Sequence, residues 1–292
     1  MVSFMFPKMG SGFCAILGMG GSCFVSYVDE YTVHKSYEIW VNGRRRSYYP
    51  ESCEEDLARE YAIYKQLGKH DRILRCFGLD EIRPPGVHAL RLELAPLGTV
   101  RDLIQQKLPG DPLPEQTRLQ MCRDVTEGLA YIHSRCVWHS DVSCRNLMHF
   151  HGYRGRESSF PVTVAEEAQY EPPYRGRGQH ERPTIKRELF ALGSCMYEIM
   201  AWMRPFQGLR DSEVTKRYER GEFPSLDGIP ATVIAQAIWN CRHEVYESAD
   251  EVPRSRSGNE QLKNGPEMRS LEPNIPYLRT LPALARNIRA HG

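Results

Sequence analysis

The pattern of hydrophobic and polar positions changes about one third of the way along the chain. Over residues 13–41 apolar and polar residues alternate, and such a two-residue period is typical of β-strands. One amphipathic helix follows, because Leu57, Tyr61, Tyr64 and Leu67 recur at helical spacing. Two further strand-like runs follow that helix. We therefore predict a small sheet that carries a single helix.

Helical periods predominate after this region. The segments 115–135 and 185–202 both carry apolar stripes, and the second is the most apolar helix in the chain, so we expect it to be central. These patterns predict an α+β protein with two lobes, one strand-rich (about 13–95) and one mainly helical (about 96–252). Residues 1–12 are expected to be an N-terminal extension. The polar, proline-containing residues 253–292 are expected to be a flexible tail.

Composition narrows the classes of function. The chain has 292 residues, 41% of them hydrophobic, which is enough for a sizeable core. Its 38 basic and 37 acidic residues nearly cancel and so give no support for a nucleic-acid or membrane-surface partner. The sequence contains no run of about 18 apolar residues, so we expect no transmembrane span. Nine cysteines without C-x-x-C spacing, and no signal-peptide pattern, predict an intracellular monomer in the cytoplasm or nucleus.

A glycine-rich stretch, LGMGGSCFV, lies at residues 17–25. Glycines allow the backbone to approach phosphate groups without an intervening Cβ. We therefore consider Gly18, Gly20 and Val25 as residues of a nucleotide site. A glycine-rich hairpin turn explains the same letters equally well, so this stretch alone decides nothing.

A lysine and a glutamate follow the glycine-rich stretch in a suggestive order. Lys35 lies in a predicted strand ten residues after Val25, and Glu60 lies on the predicted helix. A strand lysine paired with a helix carboxylate could hold nucleotide phosphates. The plain alternative is a solvated lysine and an exposed glutamate. The order of glycine stretch, strand lysine and helix glutamate favours the pair.

The segment HSDVSCRN at 139–146 places Asn146 five residues after Asp141. With the run LAYIHSRCVWHSD that leads into it, it resembles the catalytic loop of eukaryotic-type protein kinases. The resemblance covers about residues 13–252 and includes the central-helix positions Glu188, Gly193 and Glu198. It implies a two-lobed protein kinase fold.

For catalysis the resemblance implies defined roles. Asp141 would accept or orient the proton of a substrate hydroxyl, and Asn146 would hold Mg²⁺. Lys35 and Glu60 would position the phosphates of ATP. The chain would then be an ATP-dependent phosphotransferase acting on protein hydroxyls, with the protein substrate and the choice between Ser/Thr and Tyr left open.

The resemblance also locates an adenine site and two departures from the family pattern. Leu92 would be the gatekeeper, and the backbone of Glu93 and Ala95 would hydrogen-bond adenine. Ser140 replaces the Arg of H-R-D, so an activation switch in which that Arg binds a phosphate is not expected. Cys23 replaces the third glycine of the glycine-rich loop.

One acid of the family pattern is missing. The Asp of D-F-G would fall near Ser159, and no Asp occurs between Asp141 and Asp211. A neutral serine cannot replace a hard anionic metal ligand. Glu157 could substitute if the loop is rearranged, or a deletion could have removed the strand pair that carries D-F-G. The alternative function is therefore a pseudokinase, a nucleotide-binding or interaction scaffold with little transfer activity.

A zinc site is a further alternative. Histidines and cysteines crowd the centre of the chain at His133, Cys136, His139, Cys144, His149 and His151. The C-x₂-C pairs of common zinc sites are missing, and the kinase resemblance already accounts for His133 and His139. We therefore consider zinc the weaker explanation.

Overall fold

The computed structural model describes residues 16–19, 23–41, 44–47, 53–83, 87–106, 112–150, 167–178, 181–229, 232–252 and 277–280. The strands in these ranges are β1 (Ile16–Met19), β2 (Phe24–Tyr27), β3 (Thr32–Ser36), β4 (Glu38–Val41), β5 (Arg44–Ser47), β6 (Cys76–Arg83), β7 (Val87–Glu93), β8 (Leu147–Phe150) and β9 (Tyr277–Thr280). The α-helices are α1 (Cys53–Leu67), α2 (Val100–Gln106), α3 (Glu115–Ser134), α4 (Thr184–Ala201), α5 (Asp211–Glu219) and α6 (Thr232–Arg242). None of the helices described is long and apolar enough to cross a membrane.

The N-terminal lobe is an antiparallel sheet of five strands in the order β1-β2-β3-β7-β6, with α1 against it. Leu57 and Leu67 of α1 are buried in one cluster with Val33 and Leu90 of the sheet. The first turn of the helix contains the acidic residues Glu54, Glu55 and Asp56. Their negative charges interact favourably with the positive N-terminal end of the helix dipole. The predicted small sheet with one helix is confirmed. The pair β4–β5 forms a separate ribbon that the sequence pattern did not distinguish.

The helical lobe is built around α4, as the apolar pattern predicted. Phe190, Leu192 and Ile199 are fully buried, and α4 packs against α3 and α6. A Cβ added at Gly193 would lie 2.6 Å from the Cβ of Cys241, so a glycine lets α4 and α6 approach closely. The α+β two-lobed fold is therefore confirmed.

The C-terminal segment differs from expectation. Residues 277–280 form β9, which pairs antiparallel with β8 in the register Met148↔Arg279. The prediction of a flexible tail is therefore wrong for these four residues, although residues 1–12 and most of 253–292 lie outside the described ranges. Polar composition did not reveal the strand because its partner edge and the partners of its buried arginine are far away in sequence.

Candidate active site

Lys35 and Glu60 form a buried ion pair. The ammonium Nζ of Lys35 lies 2.8 Å from Oε1 and 2.9 Å from Oε2 of Glu60. The carboxylate is fully buried and the lysine side chain is 13% exposed. Burial alone would lower the pKa of Lys35, but the negative charge of Glu60 raises it above the ordinary value. The alternative of a solvated lysine and an exposed glutamate does not hold.

The sheet places Val25 beside Lys35. Val25 is the cross-strand partner of Lys35, and Lys35 in turn pairs with Leu90 of β7. Directly opposed residues of antiparallel strands project from the same face of a sheet. Gly18 pairs with Val25 at a register irregularity of β1. Gly20 lies outside the described residues, so its predicted phosphate contact stays a prediction.

The connection between the lobes begins where β7 ends. Leu92 and Ala95 are buried. The backbone N–H of Glu93 donates to the carbonyl of Arg75 at 2.9 Å, and that of Leu94 donates to Tyr31 at 2.8 Å. Both neighbouring segments therefore hold this part of the chain in place. Whether the backbone of Glu93 and Ala95 binds adenine stays a prediction.

The sequence analysis did not identify Met148. It is buried in the apolar cluster that also contains Val33 and Leu92, with Val25 packed against it. This cluster combines residues of both lobes. The available signal was an apolar residue two positions after Asn146, directly beyond a polar loop.

The loop at 139–146 is anchored by Glu188 of α4. Its carboxylate accepts a hydrogen bond from the backbone N–H of Ser140 at 2.7 Å and lies 2.6 Å from Nε2 of His133. Ser140 has a left-handed backbone with φ of 67°, which is uncommon for a residue with a Cβ. The bond to Glu188 therefore supports an unusual turn directly before Asp141.

Asp141 and Asn146 contact each other within this loop. The side-chain amide of Asn146 donates to the carbonyl of Asp141 at 2.7 Å. The amide oxygen is the side-chain atom that could coordinate a cation, because the lone pair of an amide nitrogen is delocalised and the nitrogen acts only as a donor. The carboxylate of Asp141 is 28% exposed and accepts from Arg145. The roles of base and metal ligand stay predictions.

The carboxylate of Glu167, beyond the loop, interacts with three arginines. The sequence analysis did not identify this network. Glu167 accepts hydrogen bonds from Arg101 at 2.9 Å and from Arg204 at 2.7 Å, and it lies 3.6 Å from Arg145. Arg101 also pairs with the fully buried Glu198 of α4. Burial raises the pKa of Glu198, and the charge of Arg101 opposes that shift. The network joins α2, α4 and the loop of Asp141.

The described residues contain no group of three or more His, Cys, Asp or Glu side chains placed to bind a metal. His151, Glu157 and Ser159 lie outside the described residues. The zinc alternative and the possible substitution of a metal ligand by Glu157 therefore stay open.

The comparisons with known proteins agree with this geometry. A family model described as protein tyrosine and serine/threonine kinase matches residues 17–160. Fibroblast growth factor receptor homolog 2 of Drosophila melanogaster is 22% identical over 78% of this chain and 25% of its own length. Inactive tyrosine-protein kinase kin-32 of Caenorhabditis elegans is 26% identical over 53% of this chain and 19% of its own length.

A plant relative gives the same result. Serine/threonine/tyrosine-protein kinase HT1 of Arabidopsis thaliana is 26% identical over 65% of this chain and 50% of its own length. The chain thus spans half or less of the length of these three relatives. The matched family, the two-lobed fold and the buried lysine–glutamate pair lead to one conclusion: this chain belongs to the eukaryotic-type protein kinase family.

Proposed function

We propose that the chain binds ATP between its two lobes and transfers the terminal phosphoryl group to protein hydroxyls with weak activity. The observation that carries the proposal is the buried pair of Lys35 and Glu60. Desolvation of two charges often exceeds their mutual attraction, so a buried pair is weak evidence for a role in stability. A perturbed, desolvated charge beside other polar groups is instead a mark of a functional site.

The surroundings of the pair support a nucleotide site. Val25, Val33 and Met148 offer apolar surface from both lobes for a purine ring. The backbone of Glu93 and Ala95 would supply hydrogen bonds to its edge. Lys35 shares a sheet face with Val25, which supports a role for its charge in binding the phosphates of a nucleotide whose ring lies against Val25.

The donor set for Mg²⁺ is consistent with binding but incomplete. The amide oxygen of Asn146 is a hard ligand of the kind that Mg²⁺ prefers. When bound, the ion would neutralise the charge that develops on the phosphate oxygens. Kinases add an Asp, and Ser159 stands near that position here. Losing one preorganised charge costs roughly 3 kcal/mol, about 10²-fold in rate, so we infer weak transfer.

A pseudokinase is the second candidate. The missing acid favours it, and kin-32, one of the similar proteins, carries the word inactive in its name. In this case Lys35 and Glu60 would still bind nucleotide, and the chain would act as a scaffold for a partner protein. The two candidates differ in their dependence on Mg²⁺ and in turnover.

A thermal-shift titration with ATP, with and without Mg²⁺, tests both candidates. A ligand at about 100 times its Kd stabilises the folded state by about 2.7 kcal/mol and so raises the Tm. We expect a shift in the wild type, loss of that shift in Lys35→Met, and an unchanged shift in Lys69→Met, a variant of an exposed lysine. A shift that needs Mg²⁺ supports the enzyme, and one indifferent to Mg²⁺ supports the pseudokinase. No shift in the wild type under either condition contradicts nucleotide binding.

A further inference from the structure

Strand β9 lies on the strand that follows the candidate active site. β8 begins directly after Asn146, and the antiparallel register places Thr280 opposite Leu147. The other edge of β8 is also held, because Met148 forms a bridge with Thr99. β8 therefore lies between the segment that leaves β7 and a segment from near the C-terminal end of the chain.

Arg279 connects β9 to both lobes. The residue is 5% exposed. Its Nε donates to the carbonyl of Asp71 at 3.2 Å, and Nη1 donates to the carboxylate of Glu93. The guanidinium also lies over the ring of Phe150, 5.1 Å from the centroid. The three partners belong to the α1–β6 connection, the end of β7 and β8.

These partners make Arg279 an anchor of the strand. Four residues on an edge form few ladder hydrogen bonds, and such short pairings are marginal in water. A buried charge is costly unless it is paired and hydrogen-bonded. The guanidinium therefore favours one register, the register in which it contacts both Glu93 and Asp71.

The anchor shares a residue with the proposed nucleotide site. Glu93 receives Arg279 through its side chain, and its backbone is the part that we propose to contact adenine. We propose that β9 is a docking element supplied by the C-terminal segment, and that Arg279 is a positioning residue that holds the Glu93 segment in its nucleotide-binding geometry. The second part rests on the proposed function, whereas the docking of β9 does not.

Coupling of this kind is reciprocal. If docked β9 favours nucleotide binding, bound nucleotide must favour docked β9 by the same factor. ATP should therefore slow hydrogen exchange in residues 277–280. The docking is within one chain: the connection 253–276 can extend to about 80 Å, which is long enough to cross a domain of this size.

Hydrogen exchange and ATP affinity, measured on the full chain, test the proposal. The variants are Arg279→Ala, the charge exchange Arg279→Glu with Glu93→Arg, and the control Arg220→Ala, which removes an arginine that is 67% exposed. In Arg279→Ala we expect exchange at 147–150 and 277–280 to rise about tenfold or more, and ATP binding to weaken about tenfold, because β9 loses its contacts with Asp71 and Glu93 and the Glu93 carboxylate loses its cation. The charge exchange should recover part of both losses. Arg220→Ala should change neither.

Each other outcome contradicts a defined part of the proposal. Unchanged exchange in both segments of Arg279→Ala overturns the docking, and faster exchange with unchanged ATP affinity overturns the coupling. If the wild type binds no ATP, the proposed function fails and exchange alone decides the docking. A dimer in light scattering that Arg279→Ala dissociates would mean that β9 is exchanged between copies. If Arg279→Ala does not fold, Arg279→Lys takes its place in the experiment. A lysine keeps the positive charge but cannot contact both Asp71 and Glu93 as the forked guanidinium does.

Discussion

Arg145 donates to the carboxylate of Asp141, with Nη2 3.1 Å from Oδ1 and 3.4 Å from Oδ2. The same guanidinium lies 3.6 Å from Glu167. The proposed base is therefore connected through one arginine to a carboxylate that also holds Arg101 and Arg204. Glu167 therefore holds three arginines together beside the proposed base.

Asp141→Asn separates binding from transfer. General base catalysis contributes about 10²–10⁴-fold, so any phosphoryl transfer should fall by that factor while the ATP-induced Tm shift stays close to that of the wild type. The rate is measured as transfer of the γ-phosphoryl group from labelled ATP to a protein substrate, in the wild type and in Asp141→Asn. The matched control is Asp211→Asn, which changes an exposed residue at the start of α5. Equal residual transfer in the wild type and Asp141→Asn would remove Asp141 from the mechanism.

Glu167→Gln should destabilise the helical lobe. The change leaves Arg101, Arg145 and Arg204 with less compensating charge at a carboxylate that is 13% exposed. Breaking a buried ion pair costs about 3–5 kcal/mol, and we expect a loss in the lower part of that range because Glu198 remains on Arg101. Urea unfolding measures it.

The control for this prediction is Glu222→Gln. Glu222 is 45% exposed and pairs with Arg217 on the surface, where a pair contributes about 0–1 kcal/mol. A loss in Glu167→Gln no larger than that of the control would mean that the arginine network is not a unit of stability.

The Lys35–Glu60 pair should make stability fall at high pH. The pKa of Lys35 is raised in the folded protein, so the stabilisation is complete below the unfolded pKa of about 10.4 and is lost as pH rises from there toward the folded value. The slope is about 1.4 kcal/mol per pH unit in that window. The variant Lys35→Met has no ammonium group at this position and therefore lacks this pH-dependent contribution to stability.

Urea unfolding of the wild type and Lys35→Met at pH 9, 10 and 11 measures the effect, because titrating groups away from this site are common to both proteins; the pKa of Tyr37 also responds to the charge of Lys35. We expect the difference between them to be largest at pH 9 and to shrink by pH 11. A difference that stays constant over this range would show that the pKa of Lys35 is not raised in the folded protein.

Gly193→Ala should disturb the contact between α4 and α6. The added Cβ would meet the Cβ of Cys241 at 2.6 Å, a distance that requires one helix to move. Overpacking of this kind costs about 1–3 kcal/mol, which exceeds the gain in helix propensity from Gly to Ala of about 1 kcal/mol. Gly228→Ala is the control, because no atom lies within 4 Å of its added Cβ. Equal Tm values for Gly193→Ala and the wild type would contradict the close approach.

The sequence by itself determined the fold class and the elements that carry the candidate site. The change from alternating to helical periods separated the lobes, because burial of one face imposes these periods locally. The order of Lys35 and Glu60 indicated a pair that the structure places in contact. The spacing of Asp141 and Asn146 indicated a loop in which the two are hydrogen-bonded. These relationships depend on short-range pattern and on a motif order that is readable in one dimension.

Only the tertiary structure decided which distant groups meet. Glu167 draws arginines from three separate parts of the chain, and Arg279 reaches Glu93 from 186 positions away. Neither residue stands in a local pattern, since a buried charge is recognised by its partners and not by its neighbours in sequence. The strand β9 was missed for the same reason: four residues in a polar segment form a strand only because the edge of β8 and the carboxylate of Glu93 are there to receive them.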